Sequence, residues 1–386
     1  LETYLLDWLN LLVRWAHVIV GIAWIGASFY FIWLDDRLEA SSDPKLAGEL
    51  WAIHGGGFYN ARKFRLAPDE IPATLHWFKW EAYWTWITGF ALLVLMYYVN
   101  AELYLIDPAV MALSKPAAIG LALGSLIFGL IAYEAVCRSP LGKNEALLSA
   151  TIFLLLALAA WGLAQVFSGR GAFIHYGAIL GTIMAANVAH VIIPGQRRMV
   201  QAMREGREPD AMDSLIGKQR SVHNTYLTLP VVFVMVANHY ASVFGHRWGW
   251  LALVALTLAG ALIRVWFVLR HKGSAPSWVW ILGVLCVLLA VVLVAPPRPT
   301  AASKVDFSEI RKIVDTRCVA CHAEKPSFQG MNEAPKGVKL DTDERIRAQA
   351  APIHQQTVLG KAMPPGNLTA MTDEERRLLD RWYRAR

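Results

Sequence analysis

The sequence predicts an all-α protein: an eight-helix transmembrane bundle followed by a small polar helical domain. Three observations carry this expectation. The 386 residues are 55% hydrophobic and only 17% charged, with a mean hydropathy of +0.37, too apolar for a soluble domain of this length. Eight apolar runs are each about as long as the roughly 20 residues a helix needs to cross a bilayer. The apolar pattern then stops at "APPRPTAASK", Ala295 to Lys304, where prolines and small polar residues mark a linker.

The runs cover about 5–34, 74–98, 117–137, 146–167, 172–194, 222–243, 248–270 and 277–295. None alternates with period two over its length, and a lipid-facing span must satisfy its own backbone, so each is expected to be a helix. The first run has no basic leader and no small-residue cleavage site, which fits a retained membrane helix. The sixteen tryptophans suit membrane–water boundaries. The expected domains are 1–295 in the membrane, a linker at 296–303 and a polar domain at 304–386.

Loop charges orient the spans. The loops on the side of the 35–73 loop carry fifteen Lys and Arg, and the opposite loops only Lys115, Arg170 and Arg247. The basic side is therefore expected to be the cytoplasm of a bacterial inner membrane. An even number of spans puts both termini and the C-terminal domain in the periplasm. Topology also accounts for the pI of about 9.2, which leaves no case for nucleic acid as a partner; lipid is the partner of the spans.

Of the four cysteines, Cys137 and Cys286 stand alone in or beside apolar runs and read as small buried hydrophobes. Cys318 and Cys321 belong to "CVACH", the C-x-x-C-H attachment signature of a c-type haem. Two thiols add to the haem vinyl groups, and the following His322 ligates iron. A helix in "DFSEIRKIVDTRC" delivers the cysteines, and "GKAMPPGN" offers Met363 as the sixth ligand; a His/Met pair raises the potential. His354 is the rival ligand. "TDEERRLLDRWYRAR" closes the chain with a capping box, Thr372 and Glu375. The order of helix, haem motif, methionine loop and closing helix resembles a periplasmic class I cytochrome c. With both axial positions filled, this haem relays electrons, and substrate chemistry is expected in the membrane part.

Ionisable groups inside spans are costly and are candidate sites. His76, Lys79, Trp80 and Tyr83 would share one helix face at i, i+3, i+4 and i+7: an anion contact, a base and stacking aromatics. His175 and His239 fall at the outer ends of the antiparallel fifth and sixth spans, and His190 and His223 at the inner ends. The two levels stand roughly 22–24 Å apart, a layout for two b-type haems, with His17 a competing ligand. Fifteen residues keep His175 and His190 near one face, but sixteen turn His223 about 160° from His239. Each of these histidines is otherwise a helix-packing residue.

The stretches "HGGGFYNARKFRLAP", "LHWFKWEAYWTWITGF", "GTIMAANV", "VIIPGQRRMV" and "SVHNTYLTLPVVFVMVANHY", followed by "CVACH", resemble the integral-membrane, cytochrome-c-linked urate oxidases of bacterial purine catabolism. The resemblance covers nearly the whole chain. It implies conversion of urate to 5-hydroxyisourate without direct use of O2, with electrons passed to a soluble cytochrome c or a terminal oxidase. For that reaction His76 or His223 is the expected base, Lys79 the anion contact and Asn224 a hydrogen-bonding partner of the ring. Trp80 or Tyr83 would pack on the ring. A substrate at the inner boundary would need haem in the membrane to reach the outer haem; one near His17, His175 and His239 would not. The rival reading is a quinol-oxidising cytochrome confined to electron transfer.

Overall fold

A computed structural model describes residues 2–271, 273–274, 276–295, 305–329 and 331–386. The chain is mostly helical. It opens with α1 (Glu2–Arg37) and a hairpin of β1 (Leu46–His54) and β2 (Gly57–Phe64). Then come α2 (Trp80–Leu93), prolonged by a wide π turn to Tyr98, the short α3 (Ala101–Tyr104), α4 (Lys115–Arg138) and α5 (Glu145–Val166). Next, α6 (Gly169–Ala186) passes through a second π turn, Asn187–Ile192, into α7 (Ile193–Arg204). They are followed by α8 (Ala211–Ala237), the short α9 (Ala241–Phe244), α10 (Gly249–His271) and α11 (Ser277–Leu293).

A long helix lies in each of the eight expected segments. Among the described residues, five continuous helical stretches are long and apolar enough to cross a membrane: Tyr4–Arg37, Lys115–Arg138, Glu145–Val166, Gly169–Arg204 and Gly249–His271. Ser277–Leu293 is apolar but shorter. Side-chain oxygens terminate several of them: Ser114 accepts from Ala117 N, Asn144 from Ala146 N and Leu147 N, Ser168 from Gly171 N, and Asp210 from Met212 N. Each satisfies donors that a helix start leaves open.

The hairpin corrects the all-α expectation. β1 and β2 pair antiparallel from Leu46↔Phe64 to His54↔Gly57. Its two-residue turn, Gly55 and Gly56, has φ of +58° and +83°, as a type I′ turn requires. Lys63 Nζ reaches Asp35 Oδ2 of α1 at 2.5 Å, anchoring the hairpin to that helix end.

The core is centred on α6. It touches α2, α4, α5, α8 and α10 and buries Tyr176, Leu180 and Ile183 almost completely. Glycines permit the close approaches: a Cβ at Gly177 would stand 2.7 Å from Val234 of α8, and one at Gly129 would stand 2.7 Å from Ile179. By contrast, α1 is largely exposed, with Trp15 at 64% and Ile22 at 66%, the pattern of a lipid-facing helix.

The expected linker at 296–303 lies outside the described residues. Beyond it a separate core forms from Ile310, Ile313 and Val314 of α12 (Phe307–Arg317), Ile346 of α13 (Asp343–Ala348), Ala350 and Ile353 of α14 (Ala350–Ile353), and Leu379 and Trp382 of α15 (Asp373–Arg384). The capping box at Thr372 and Glu375 is present in full. This domain rests on the ends of the bundle at α3 and α9 through the loop that carries Met363. A Cβ on Gly366 would meet the carbonyl oxygens of Leu103 and Ile106 at 2.8 Å, and one on Gly245 would meet that of Gly360 at 2.7 Å.

Candidate functional site

Three groups of residues bear on function: one in the C-terminal domain, one inside the bundle and one between the two.

In the C-terminal domain Cys318 ends α12, and its carbonyl accepts from Cys321 N at 3.1 Å and His322 N at 2.9 Å. This single turn gathers the three motif residues. Both cysteines are free thiols. His322 Nδ1 lies 2.9 Å from the Val338 carbonyl, and Leu340 N donates to the His322 carbonyl at 2.7 Å. With Nδ1 donating, Nε2 is the nitrogen left to bind iron, the usual way a protein orients a ligating histidine. Among the described residues no three His, Cys, Asp or Glu side chains converge as a metal cluster. Met363 sits on a pinned loop: its amide donates to Gln356 O, and its carbonyl accepts from the buried Arg376, both at 3.0 Å. Arg376 also donates to Thr357 O and to Asn367 Oδ1. The rival His354 is engaged: Nε2 contacts Asp380 Oδ1 at 2.6 Å, and its ring stacks on Tyr383 at 4.2 Å. The motif turn, with His322 Nε2 left over, is compatible with a covalently held haem c, and Met363 stands on a separate loop held by Arg376.

Inside the bundle, His223 and Asn224 of α8 join a buried polar network. His223 Nδ1 meets Tyr133 OH of α4 at 2.8 Å. Asn187, at the π turn of α6, donates to Tyr133 OH and to Asn224 Oδ1, both at 2.9 Å, and Asn224 Nδ2 donates to Met184 O at 3.0 Å. Arg220, 3% exposed, pairs with Glu134 at 3.0 Å and lies over the Tyr133 ring at 5.1 Å. Its Nε and Nη1 are buried without partners. Wide helical turns recur at functional sites because they re-aim one side chain; here the turn aims Asn187. Sequence reasoning missed Tyr133 and counted Arg220 only as a loop charge. Both ends of the Asn224 carboxamide are engaged with α6 and its π turn.

His76 and Lys79 do not join this network. α2 begins at Trp80, so the four-residue helix face expected from 76 to 83 is not formed. His76 is exposed and packs edge-on against Phe78 at 4.5 Å. Lys79 lies over the Trp80 ring at 5.3 Å, and Trp80 meets Tyr83 edge-on at 5.8 Å.

The histidines expected to ligate b-type haem differ in their surroundings. His175 is fully buried, with Nδ1 on Gly171 O at 2.8 Å and Nε2 facing Tyr98 OH at 3.3 Å. Tyr98 and Phe167 stack on its ring at 5.8 and 5.3 Å. Both nitrogens are occupied, so His175 as placed does not fit a haem ligand. His239 is exposed and follows the end of α8, His190 is exposed on the π turn, and His17 Nδ1 bonds Thr88 Oγ1 at 3.0 Å.

Between the two domains lies a cavity of about 690 Å³. The bundle contributes Tyr104, Asp107, Phe167, Arg170, His246 and Arg247, and the C-terminal domain contributes Lys361, Met363, Asp373 and Arg376. Burial raises the Asp107 carboxyl above the usual range, against hydrogen bonds from Ala109 and Asn367 that lower it.

Residues 3–295 match the model of the urate oxidase N-terminal family. The chain belongs to that family. Membership makes this a urate-related oxidoreductase family protein, with urate the indicated substrate. The match covers the hairpin, the whole bundle and the bundle's half of the cavity, and it stops where the expected linker starts. No curated protein and no solved structure matches the chain.

Proposed function

We propose that the protein is a membrane-bound urate hydroxylase that converts urate to 5-hydroxyisourate and exports the electrons through a c-type haem. The observation that carries this reading is the union in one chain of a urate oxidase N-terminal segment and a docked domain that carries the C-x-x-C-H motif. Urate and water together lose two electrons and two protons to give 5-hydroxyisourate. Haem c, when bound by Cys318, Cys321, His322 and Met363, supplies a one-electron acceptor and takes no part in oxygen chemistry. A soluble cytochrome c or a terminal oxidase is the onward acceptor.

Residues 1–295 form the eight-span membrane domain in this reading, with the C-terminal domain and both termini in the periplasm. The bias of Lys and Arg to one set of loops supports it. The contacts of the C-terminal domain support it too: they fall on 101–107 and 241–247, which belong to the loops poor in Lys and Arg.

Purified protein, without oxygen, is expected to reduce its haem c on addition of urate. A haem that responds to dithionite but not to urate would sink the proposal. Quinol as the effective reductant would leave the electron-transfer reading instead.

A further inference from the structure

We infer that the cavity between the bundle and the C-terminal domain is the binding site of the substrate, a planar oxopurine anion, with Arg170 as its principal anchor. The inference rests on the urate reading and places its chemistry at the outer end of the bundle rather than at the inner network.

The cavity is of the size that takes small organic ligands, within the usual range of roughly 300–1,000 Å³. Arg170, Arg247, Lys336, Lys361 and Arg376 outnumber the two carboxylates, Asp107 and Asp373, on its wall. Two of the five cations are committed elsewhere: Arg376 holds the methionine loop, and Lys361 pairs with Asp373 at 3.0 Å. Arg170 and Arg247 make no ion pair among the described residues. The Arg170 guanidinium carbon lies 4.7 Å from the Tyr104 ring centroid, and its Nε is buried with no acceptor among the described residues. A guanidinium held over a ring in this way presents a fixed fork to a flat, two-acceptor anion. A buried donor without an acceptor is unfavourable, and an anion seated in the cavity beside Arg170 would meet that guanidinium. Tyr104 supplies aromatic surface for a ring.

Position argues the same way. Met363 and its neighbours Ala362 and Pro365 line the same cavity, so substrate here needs no cofactor within the membrane to pass electrons to the C-terminal domain. Asp107, the carboxylate contributed by the bundle, is placed to take one of the two protons released; burial keeps it closer to neutral pH than a free aspartate. In the inner network, by contrast, Tyr133, His223, Asn187 and Asn224 are joined to one another, and Arg220, though its Nε and Nη1 have no hydrogen-bond partner there, already has a counter-charge in Glu134.

Steady-state kinetics with urate and ferric cytochrome c, without oxygen, test the site on the whole protein. Arg170→Gln is expected to raise KM roughly 10- to 100-fold, the worth of a charge-assisted hydrogen bond, with a smaller change in kcat. Arg170→Lys is expected to recover part of the loss. A KM for Arg170→Gln equal to that of the unmodified protein overturns the inference while leaving the urate reading intact. Failure of urate to reduce the unmodified protein instead removes the reading on which the inference stands. Where Arg170→Gln does not assemble with haem, Arg247→Gln on an exposed turn serves: a several-fold rise in KM supports the site, and an unchanged KM overturns it.

Discussion

The Nδ1 of His322 lies 2.9 Å from the carbonyl oxygen of Val338, while His354 Nε2 is taken up by Asp380 at 2.6 Å. Each histidine has one ring nitrogen engaged, but His322 is held by a backbone carbonyl, whereas His354 is tied to a carboxylate and stacked on Tyr383. Met363→Leu is accordingly expected to leave haem covalently attached and lower its reduction potential, because a soft thioether ligand raises it. His354→Gln is expected to leave the potential near that of the unmodified protein. Potentiometric titration of both variants decides between them; a shift in His354→Gln alone would make His354 the ligand.

The polar network inside the bundle is expected to be a stability element. Glu134 is the counter-charge of Arg220, whose side chain is 4% exposed. Glu134→Gln leaves a buried guanidinium without its partner. The expected loss is roughly 3 kcal/mol, the low end for a broken buried pair, since Glu134 is itself 26% exposed. Asn187→Leu removes the donor to both Tyr133 and Asn224 and is expected to cost about 1–3 kcal/mol. Thermal unfolding in detergent measures both; unchanged midpoints would mean that water substitutes for the lost groups.

Long apolar periodicity made the helices legible, and adjacency in the chain made the haem motif legible, since "CVACH" needs no folding to be recognised. The capping box at Thr372 was equally local. What escaped was the three-dimensional part. Gly55 and Gly56 between the alternating "ELWAIH" and "FYNARKF" carry a hairpin signal, but it was overshadowed by the length of the loop. The start of α2 at Trp80 was hidden because aromatic residues at 77, 78 and 80 continue the apolar run through non-helical backbone. Histidine count suggested haem in the bundle, yet His175 is satisfied by Tyr98 and by Gly171 one turn away. No one-dimensional pattern reports that pairing. The cavity was illegible for the same reason: Arg170 and Met363 are far apart in sequence and meet only when the domains dock.

Docking itself gives a prediction. Gly366 has φ of +55°, and a side chain there would enter the space held by the carbonyls of Leu103 and Ile106 at 2.8 Å. Gly366→Ala thus meets both backbone strain and a rigid clash. The variant is expected to fold and to load haem, because the core of the C-terminal domain is remote from this contact. Reduction by urate is expected to slow at least tenfold, while reduction by dithionite keeps its rate. Stopped-flow measurement of both rates is the check; equal slowing of the two would place the damage within the haem domain.

The last prediction concerns acid. Asp341 accepts from Glu324 N at 2.7 Å and from Arg345 at 2.6 Å, and these bonds hold its carboxyl down to about 2 from an ordinary 3.8. The segment from Glu324 to Arg345, with Val338 inside it, is tied together at this point. A depressed carboxyl stabilises the folded state fully above its unfolded value, and the contribution is lost as pH falls through the folded one. The C-terminal domain is therefore expected to lose stability between about pH 4 and pH 2. Asp341→Asn, which keeps an acceptor but no charge, is expected to be less stable at neutral pH and to flatten that dependence. The Soret band, followed through acid titration, reads the transition; parallel curves for the two proteins would show that Asp341 contributes nothing to it.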